Sequence, residues 1–141
     1  MKIKQDITVR YSETDQMKVV HHSNYAIWFE CARTKLIKEM GIPYSELERQ
    51  GLMLPVLELH VKYIKPAFYE DELEVHAFIS SYSLAKLTIK YKVYRKSTME
   101  LINMGYSVHA CVTTDMKPCD TRKKFPDFYA KLVANCEPDE N

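Results

Sequence analysis

Residues 2–10 alternate in character. Ile3, Ile7 and Val9 share one parity, and Lys4, Asp6, Thr8 and Arg10 the other, which is the period-2 pattern of a half-buried strand. The alternation stops at Tyr11, and the next dozen residues collect Tyr11, Glu13, Thr14, Asp15, His21 and His22. A polar connection carrying that many titratable groups is a candidate for function, because binding and catalytic groups concentrate on loops held by rigid elements. From Ser23 or Asn24, either of them a suitable N-cap, the apolar positions Tyr25, Trp28, Phe29, Ala32, Leu36 and Met40 recur at three- and four-residue spacing until Gly41. This predicts one amphipathic helix of about five turns with a glycine stop. Five such side chains fully buried, at roughly 2 kcal/mol each, supply on the order of 10 kcal/mol before entropy is subtracted, so the helix belongs to the core.

After a short helical piece over Tyr44–Gln50, alternation returns four times. Leu57, Leu59, Val61 and Tyr63 oppose Glu58, His60 and Lys62; Leu73, Val75, Ala77 and Ile79 oppose Glu74 and His76. Leu87, Ile89, Tyr91 and Val93 oppose Lys86, Thr88, Lys90 and Lys92; Tyr106, Val108, Ala110 and Val112 oppose Ser107, His109 and Thr113. Connections as short as 80–83 and 95–98 predict antiparallel neighbours, because parallel pairing needs a crossover of a dozen or more residues. Residues 125–132 suit a short helix, and 137–141 read as a frayed acidic tail.

The pattern predicts an α+β fold in one domain spanning 1–141, an antiparallel sheet of about five strands against one long helix. The helix stripe covers one face of the sheet, yet bulky groups also stand on the other parity (Ile64, Phe78, Tyr94). A second, partly apolar face predicts self-association, as a homodimer or homotetramer.

Charge narrows the function classes. Lys plus Arg number 20 and Asp plus Glu 19, a net charge of +1, which supplies no broad field for a polyanion and argues against nucleic acid. No run approaches the roughly 18 apolar residues of a membrane helix, and Met1-Lys2-Ile3-Lys4-Gln5-Asp6 lacks the apolar segment of a signal peptide. The chain therefore reads as cytoplasmic. Cys31, Cys111, Cys119 and Cys136 form no Cys-x-x-Cys pair, so reduced, mostly buried thiols are expected rather than a zinc knuckle or redox dithiol; Cys31, inside the helical pattern, reads as structural.

The segment from Tyr11 to Tyr25 places Asp15 seven residues before His22, which directly precedes the helix. A helix N-terminus offers unpaired backbone N–H groups and partial positive charge, suited to negative charge developing on a carbonyl oxygen during acyl transfer. A carboxylate beside it can activate water or attack the carbonyl itself. As a competing reading, Asp15 is a turn-former and Tyr11 a ring packed at the surface. A metal bound by His21, His22, Glu13 and Asp15 is disfavoured because the spacing matches no standard site. His60, His76 and His109 read as polar-face strand residues.

These residues, Tyr-x-Glu-Thr-Asp-x-x-x-Val-Val-x-His-x-x-Tyr followed by Phe29-Glu30 and Ala32-Arg33, resemble the signature of hotdog-fold acyl-CoA thioesterases of the 4-hydroxybenzoyl-CoA thioesterase type, especially the branch associated with the bacterial Tol-Pal system. Tyr63-Ile64-Lys65-Pro66-Ala67-Phe68-Tyr69-Glu70-Asp71 is similar to that family's second recurrent stretch. The resemblance implies a long helix wrapped by an antiparallel sheet, protomers paired into a continuous sheet, and active sites at the dimer interface. It implies that Asp15 is the catalytic nucleophile or general base, that backbone N–H groups near His22 polarise the thioester carbonyl, and that Tyr11 and His22 orient the carboxylate or water. No cofactor and no metal is implied. Lys18 departs from the family pattern, which usually has glycine there; a loop with positive φ disfavours lysine.

Lys62, Lys65, Lys86 and Lys90 are candidates to meet coenzyme A phosphates, against the bland role of keeping strand edges soluble. The leading reading is hydrolysis of acyl-CoA to a carboxylic acid and free coenzyme A. The alternatives are hydrolysis of acyl-carrier-protein thioesters, with the lysines docking an acidic carrier, and a non-catalytic acyl-thioester binding module, since fold alone does not fix function. Trp28, Phe29, Met53 and Leu54 suit either an acyl tunnel or the core, and leave the acyl group open.

Overall fold

The alternating segments form strands in the computed structural model, which describes residues 1–138. Strand β1 (Lys2–Thr8) leads through a 3-10 turn (Tyr11–Glu13) to helix α1 (Asn24–Glu39) and the short helix α2 (Tyr44–Gln50). Strands β2 (Val56–Tyr63), β3 (Glu72–Tyr82), β4 (Lys86–Arg95) and β5 (Glu100–Ala110) follow, then helices α3 (Thr121–Lys124) and α4 (Pro126–Asn135). All five strands pair antiparallel in the order β1-β3-β4-β5-β2. The tight connections make β3, β4 and β5 neighbours as predicted, while β1 and β2 close the two edges.

Helix α1 buries Tyr25, Trp28, Phe29, Ala32, Leu36 and Ile37, the predicted stripe with Ile37 added. Gly41 follows it at φ 98°, and its N–H donates to the Lys38 carbonyl at 2.9 Å. Phe29 stacks on Tyr91 with ring centroids 4.3 Å apart. Opposite that pair, a Cβ on Gly105 would lie 2.2 Å from the His60 carbonyl oxygen and 2.8 Å from the Phe29 ring. Only glycine lets the helix sit this close to the sheet. Neither Ser23 nor Asn24 caps the helix through its side chain: Ser23 occupies the N-cap in helical geometry with no capping bond.

Several expectations change here. On β5 the inward parity is the polar one: Asn103, Ser107 and His109 are buried, whereas Tyr106 and Val108 are half-buried on the outer face. Of the inward positions, Gly105 is small because Phe29 lies over it, and the Ser107 hydroxyl meets the Tyr91 hydroxyl at 2.6 Å. On β2 the apolar face is uncovered, with Val56, Leu57, Leu59 and Tyr63 about half exposed. Phe78, read as an unpartnered outer group, is 6% exposed and has the Lys2 ammonium over its ring at 5.3 Å. The apolar surface lacking an intrachain partner therefore lies at the β2 edge, with Ile64 at its end. Cys31 is exposed. The tail begins anchored, since the Glu137 N–H donates to the Ile79 carbonyl at 2.8 Å and its carboxylate lies 3.3 Å from the N-terminal amine; residues 139–141 fall outside the described residues.

Candidate functional site

The loop between the 3-10 turn and α1 is organised from below by Glu13. This carboxylate is 4% exposed; one oxygen accepts the Arg10 backbone N–H at 2.8 Å and the other the Trp28 indole N–H at 2.9 Å. Its backbone carbonyl accepts from the His21 N–H at 2.8 Å and from Asn24 Nδ2 at 2.9 Å. The loop is thereby tied to the first two turns of α1 through one buried charge-assisted bond, from Trp28, and one amide-to-carbonyl bond, from Asn24.

Above this anchor the chain makes a small hairpin in which Thr14 bridges Val20. Asp15 donates its N–H to the Val19 carbonyl and accepts the Lys18 N–H on its own, both at 2.9 Å. Its carboxylate Oδ1 accepts the Met17 N–H at 2.8 Å, the aspartate turn anticipated as a competing role. The other carboxylate oxygen is not used by that turn, so turn-forming and a chemical role are compatible. Lys18 sits at φ 67°, the left-handed conformation that glycine adopts without strain.

His22 and Tyr25, at the start of α1, face a cleft of about 250 Å³ whose other walls are Val19, Val20, Tyr63, Ile64, Lys65 and Pro66. The Tyr63 hydroxyl donates to the His22 carbonyl at 3.2 Å, and the Tyr25 and Tyr63 rings meet edge-on at 5.5 Å. Burial, followed by the neighbouring Tyr63, pushes the Tyr25 phenol up to about 12, so it remains a neutral donor. The far wall is pinned by Asp71, whose carboxylate accepts from Arg95 Nη1 and from the Phe68 N–H, while Arg95 Nη2 donates to the Pro66 carbonyl at 2.8 Å.

The predicted site residues separate in space. His22 lines the cleft, whereas Asp15, on the same loop, bonds only within its own turn among the described residues, to Met17, Lys18 and Val19, and is not among the cleft-lining residues. Tyr11 is 76% exposed, with its ring edge-on to Tyr69 at 5.7 Å. Of the four lysines, Lys65 lines the cleft and pairs with Glu100 at 2.7 Å. Lys62, Lys86 and Lys90 lie on the outer face of the sheet, on the parity opposite Val61, Leu87 and Tyr91. Among the described residues no cluster of three or more His, Cys, Asp or Glu could hold a metal ion, and Glu13 is committed to Arg10 and Trp28.

Two groups, Glu13 and His109, have roles that their sequence positions do not display. Glu13, two residues before Asp15, anchors the loop from the core through Trp28, 15 residues further on, and no local sequence signal marks that pairing. His109 was read as a polar-face residue, yet it closes a buried chain. Its Nδ1 meets the Leu54 carbonyl at 3.0 Å, Nε2 meets Ser107 Oγ at 2.7 Å, Ser107 meets the Tyr91 hydroxyl at 2.6 Å, and Arg33 Nη1 donates to Tyr91 at 3.1 Å. A carbonyl only accepts, so Nδ1 carries the proton; Ser107 then donates to Nε2 and Tyr91 to Ser107. Burial holds the His109 pKa down to about 4, and the ring is neutral. Burial also pushes the Cys111 thiol up to about 12, which removes it from the nucleophiles.

A long helix packed on a five-stranded antiparallel sheet, with a carboxylate-bearing loop at the helix N-terminus, defines the class of hotdog-fold enzymes that act on acyl thioesters. The chain belongs to the thioesterase-like superfamily, whose family model matches residues 9–133. It is similar to YneP of Bacillus subtilis, named as a candidate acyl-CoA thioesterase, at 41% identity over 89% of this chain and 91% of that one. The acyl-CoA thioester hydrolase YbgC of Escherichia coli is 27% identical over 79% of this chain and 84% of its own. Among solved structures, a DHNA-CoA thioesterase from Staphylococcus aureus superposes with a TM-score of 0.89 at 34% identity, covering 94% of this chain and 89% of that one. Among the described residues no helix is long and apolar enough to cross a membrane.

Proposed function

We propose that this chain hydrolyses acyl-CoA thioesters with Asp15 as its catalytic carboxylate. What supports the reading is one loop, tied to the start of α1 through Glu13, that carries Asp15 oriented by the Met17 N–H and leads into an α1 N-terminus that no side chain caps. Uncapped first-turn N–H groups suit the thioester oxygen as it becomes an oxyanion. As general base, Asp15 takes a proton from water, hydroxide adds to the carbonyl carbon, and the C–S bond breaks as the thiolate leaves and is protonated. As nucleophile, Asp15 attacks the carbonyl and expels the thiolate, which is protonated, and water then cleaves the resulting mixed anhydride to release the acid and restore the Asp15 carboxylate. His22 lines the cleft where the carbonyl would sit, and Lys65 at its rim is the best placed of the four lysines to meet a coenzyme A phosphate. The exposed Tyr11 is assigned a supporting role over the loop.

In this reading the protein works as a homodimer. The β2 edge is unpaired, and its apolar face is uncovered beside the cleft wall formed by Tyr63 and Ile64. A second copy pairing along β2 continues the sheet, removes that apolar surface from water and closes the cleft.

The test is thiol release from short aliphatic, long aliphatic and aromatic acyl-CoA esters, with free coenzyme A as competitor. Turnover inhibited by coenzyme A supports the proposal. Turnover of acyl-carrier-protein thioesters that coenzyme A fails to inhibit would replace the substrate class, and binding without turnover would make the chain a binding module.

A further inference from the structure

Asn103 is fully buried, and neither its Nδ2 nor its Oδ1 has a hydrogen-bond partner in the protein. The other buried polar side chains on the same face of β5, Ser107 and His109, are paired. An unpaired buried amide is costly, and a leucine of similar volume would avoid the cost. A group retained under that penalty invites a ligand as its partner.

Its position names the ligand. Asn103 shares the inward parity of Gly105, where a Cβ would meet Phe29, and it lies directly across from Tyr63 on β2 and Val93 on β4. Tyr63 is a wall of the cleft, and its hydroxyl extends to the His22 carbonyl. Asn103 therefore sits beside the root of the tyrosine whose tip marks the reacting end. Asn103 is not itself a cleft-lining residue, so a substituent reaches it by passing the Tyr63 ring, away from the thioester carbonyl. The amide both donates and accepts, which matches a hydroxyl.

We propose that Asn103 is a specificity-determining residue, whose amide takes up an oxygen-bearing substituent on the distal part of the acyl group. The proposal rests on the cleft's being the acyl site of the hydrolase reading. It accounts for an amide where packing alone favours an apolar side chain.

The test compares hexanoyl-CoA with its terminally hydroxylated form, and with the form hydroxylated next to the carbonyl. Wild type should favour the terminal hydroxyl by about 10-fold in kcat/KM over the unsubstituted ester, and give no such gain for the hydroxyl beside the carbonyl. Asn103→Leu should abolish the preference and raise Tm. An unchanged ratio in Asn103→Leu, or no preference in wild type, would overturn the proposal. Binding of the same three acyl groups as non-hydrolysable oxoalkyl thioethers of coenzyme A is measured on wild type by calorimetry. Absence of turnover with all three esters would then sink the hydrolase reading alone, whereas equal Kd values for the terminally hydroxylated and unsubstituted analogues would sink the role of Asn103.

Discussion

The Trp28 indole N–H donates to the Glu13 carboxylate at 2.9 Å across the boundary between the core helix and the loop that carries Asp15. The same carboxylate holds the Arg10 N–H, and the Glu13 carbonyl holds His21 and Asn24. One buried acid thus fixes both ends of the loop. Glu13→Ala leaves the Trp28 and Arg10 donors unpaired, and should cost about 2–4 kcal/mol in urea unfolding together with a loss of thiol release. Trp28→Phe, which removes a single donor, should cost about 1–3 kcal/mol.

His109 makes stability depend on pH. Its folded pKa of about 4 lies below the ordinary 6.5 because the ring is buried, so between those values the unfolded chain binds the proton and the folded chain does not. Stability therefore falls as pH drops through that window, by on the order of 3 kcal/mol in total. The contribution is full above pH 6.5. Urea midpoints from pH 7 to pH 4 should show a component of this slope that His109→Gln lacks; parallel curves for the two proteins would contradict the buried neutral ring.

Helix α1 and strands β1 to β4 were legible because their apolar positions keep a period, whereas the alternation over 106–113 overlaps only the second half of β5 (Glu100–Ala110). The faces were less so. The inward parity of β5 reads as polar because Gly105 and Ser107 leave room for Phe29 and Tyr91 while Asn103 and His109 are buried polar groups, and none of these residues carries a hydrophobic signal. On β2 the alternation was visible, but a pattern cannot say whether the apolar face meets its own chain or another copy. Asp15 and His22 stood out in the sequence as titratable residues of the loop leading into α1, and the structure places His22 in the cleft wall. The anchoring role of Glu13 was hidden because a buried acid looks like any surface acid until its partners fold around it.

Lys18 adopts φ 67°, at a position where the resembling family usually has glycine. Lys18→Gly should stabilise the protein by about 1 kcal/mol, the left-handed cost relieved less the added freedom of the unfolded chain. Thermal unfolding of the variant checks this, and a lower Tm would mean that the lysine side chain contributes more than its backbone costs.

Leu59 is 48% exposed in the middle of β2. If a second copy covers this edge, Leu59→Glu places a charge in that contact and should yield a monomer with little thiol release, measured by sedimentation and activity on the same samples. A fully active monomer would contradict a site shared between copies.

The central claim is that Asp15 carries the chemistry. The direct measurement is thiol release by Asp15→Asn beside wild type on the best acyl-CoA substrate, with binding of a non-hydrolysable analogue followed in parallel. The account predicts a fall in kcat of about 10²–10⁴-fold with analogue affinity retained, because the amide preserves the turn with Met17 but neither attacks a carbonyl nor takes a proton from water. Equal rates for the two proteins would contradict it.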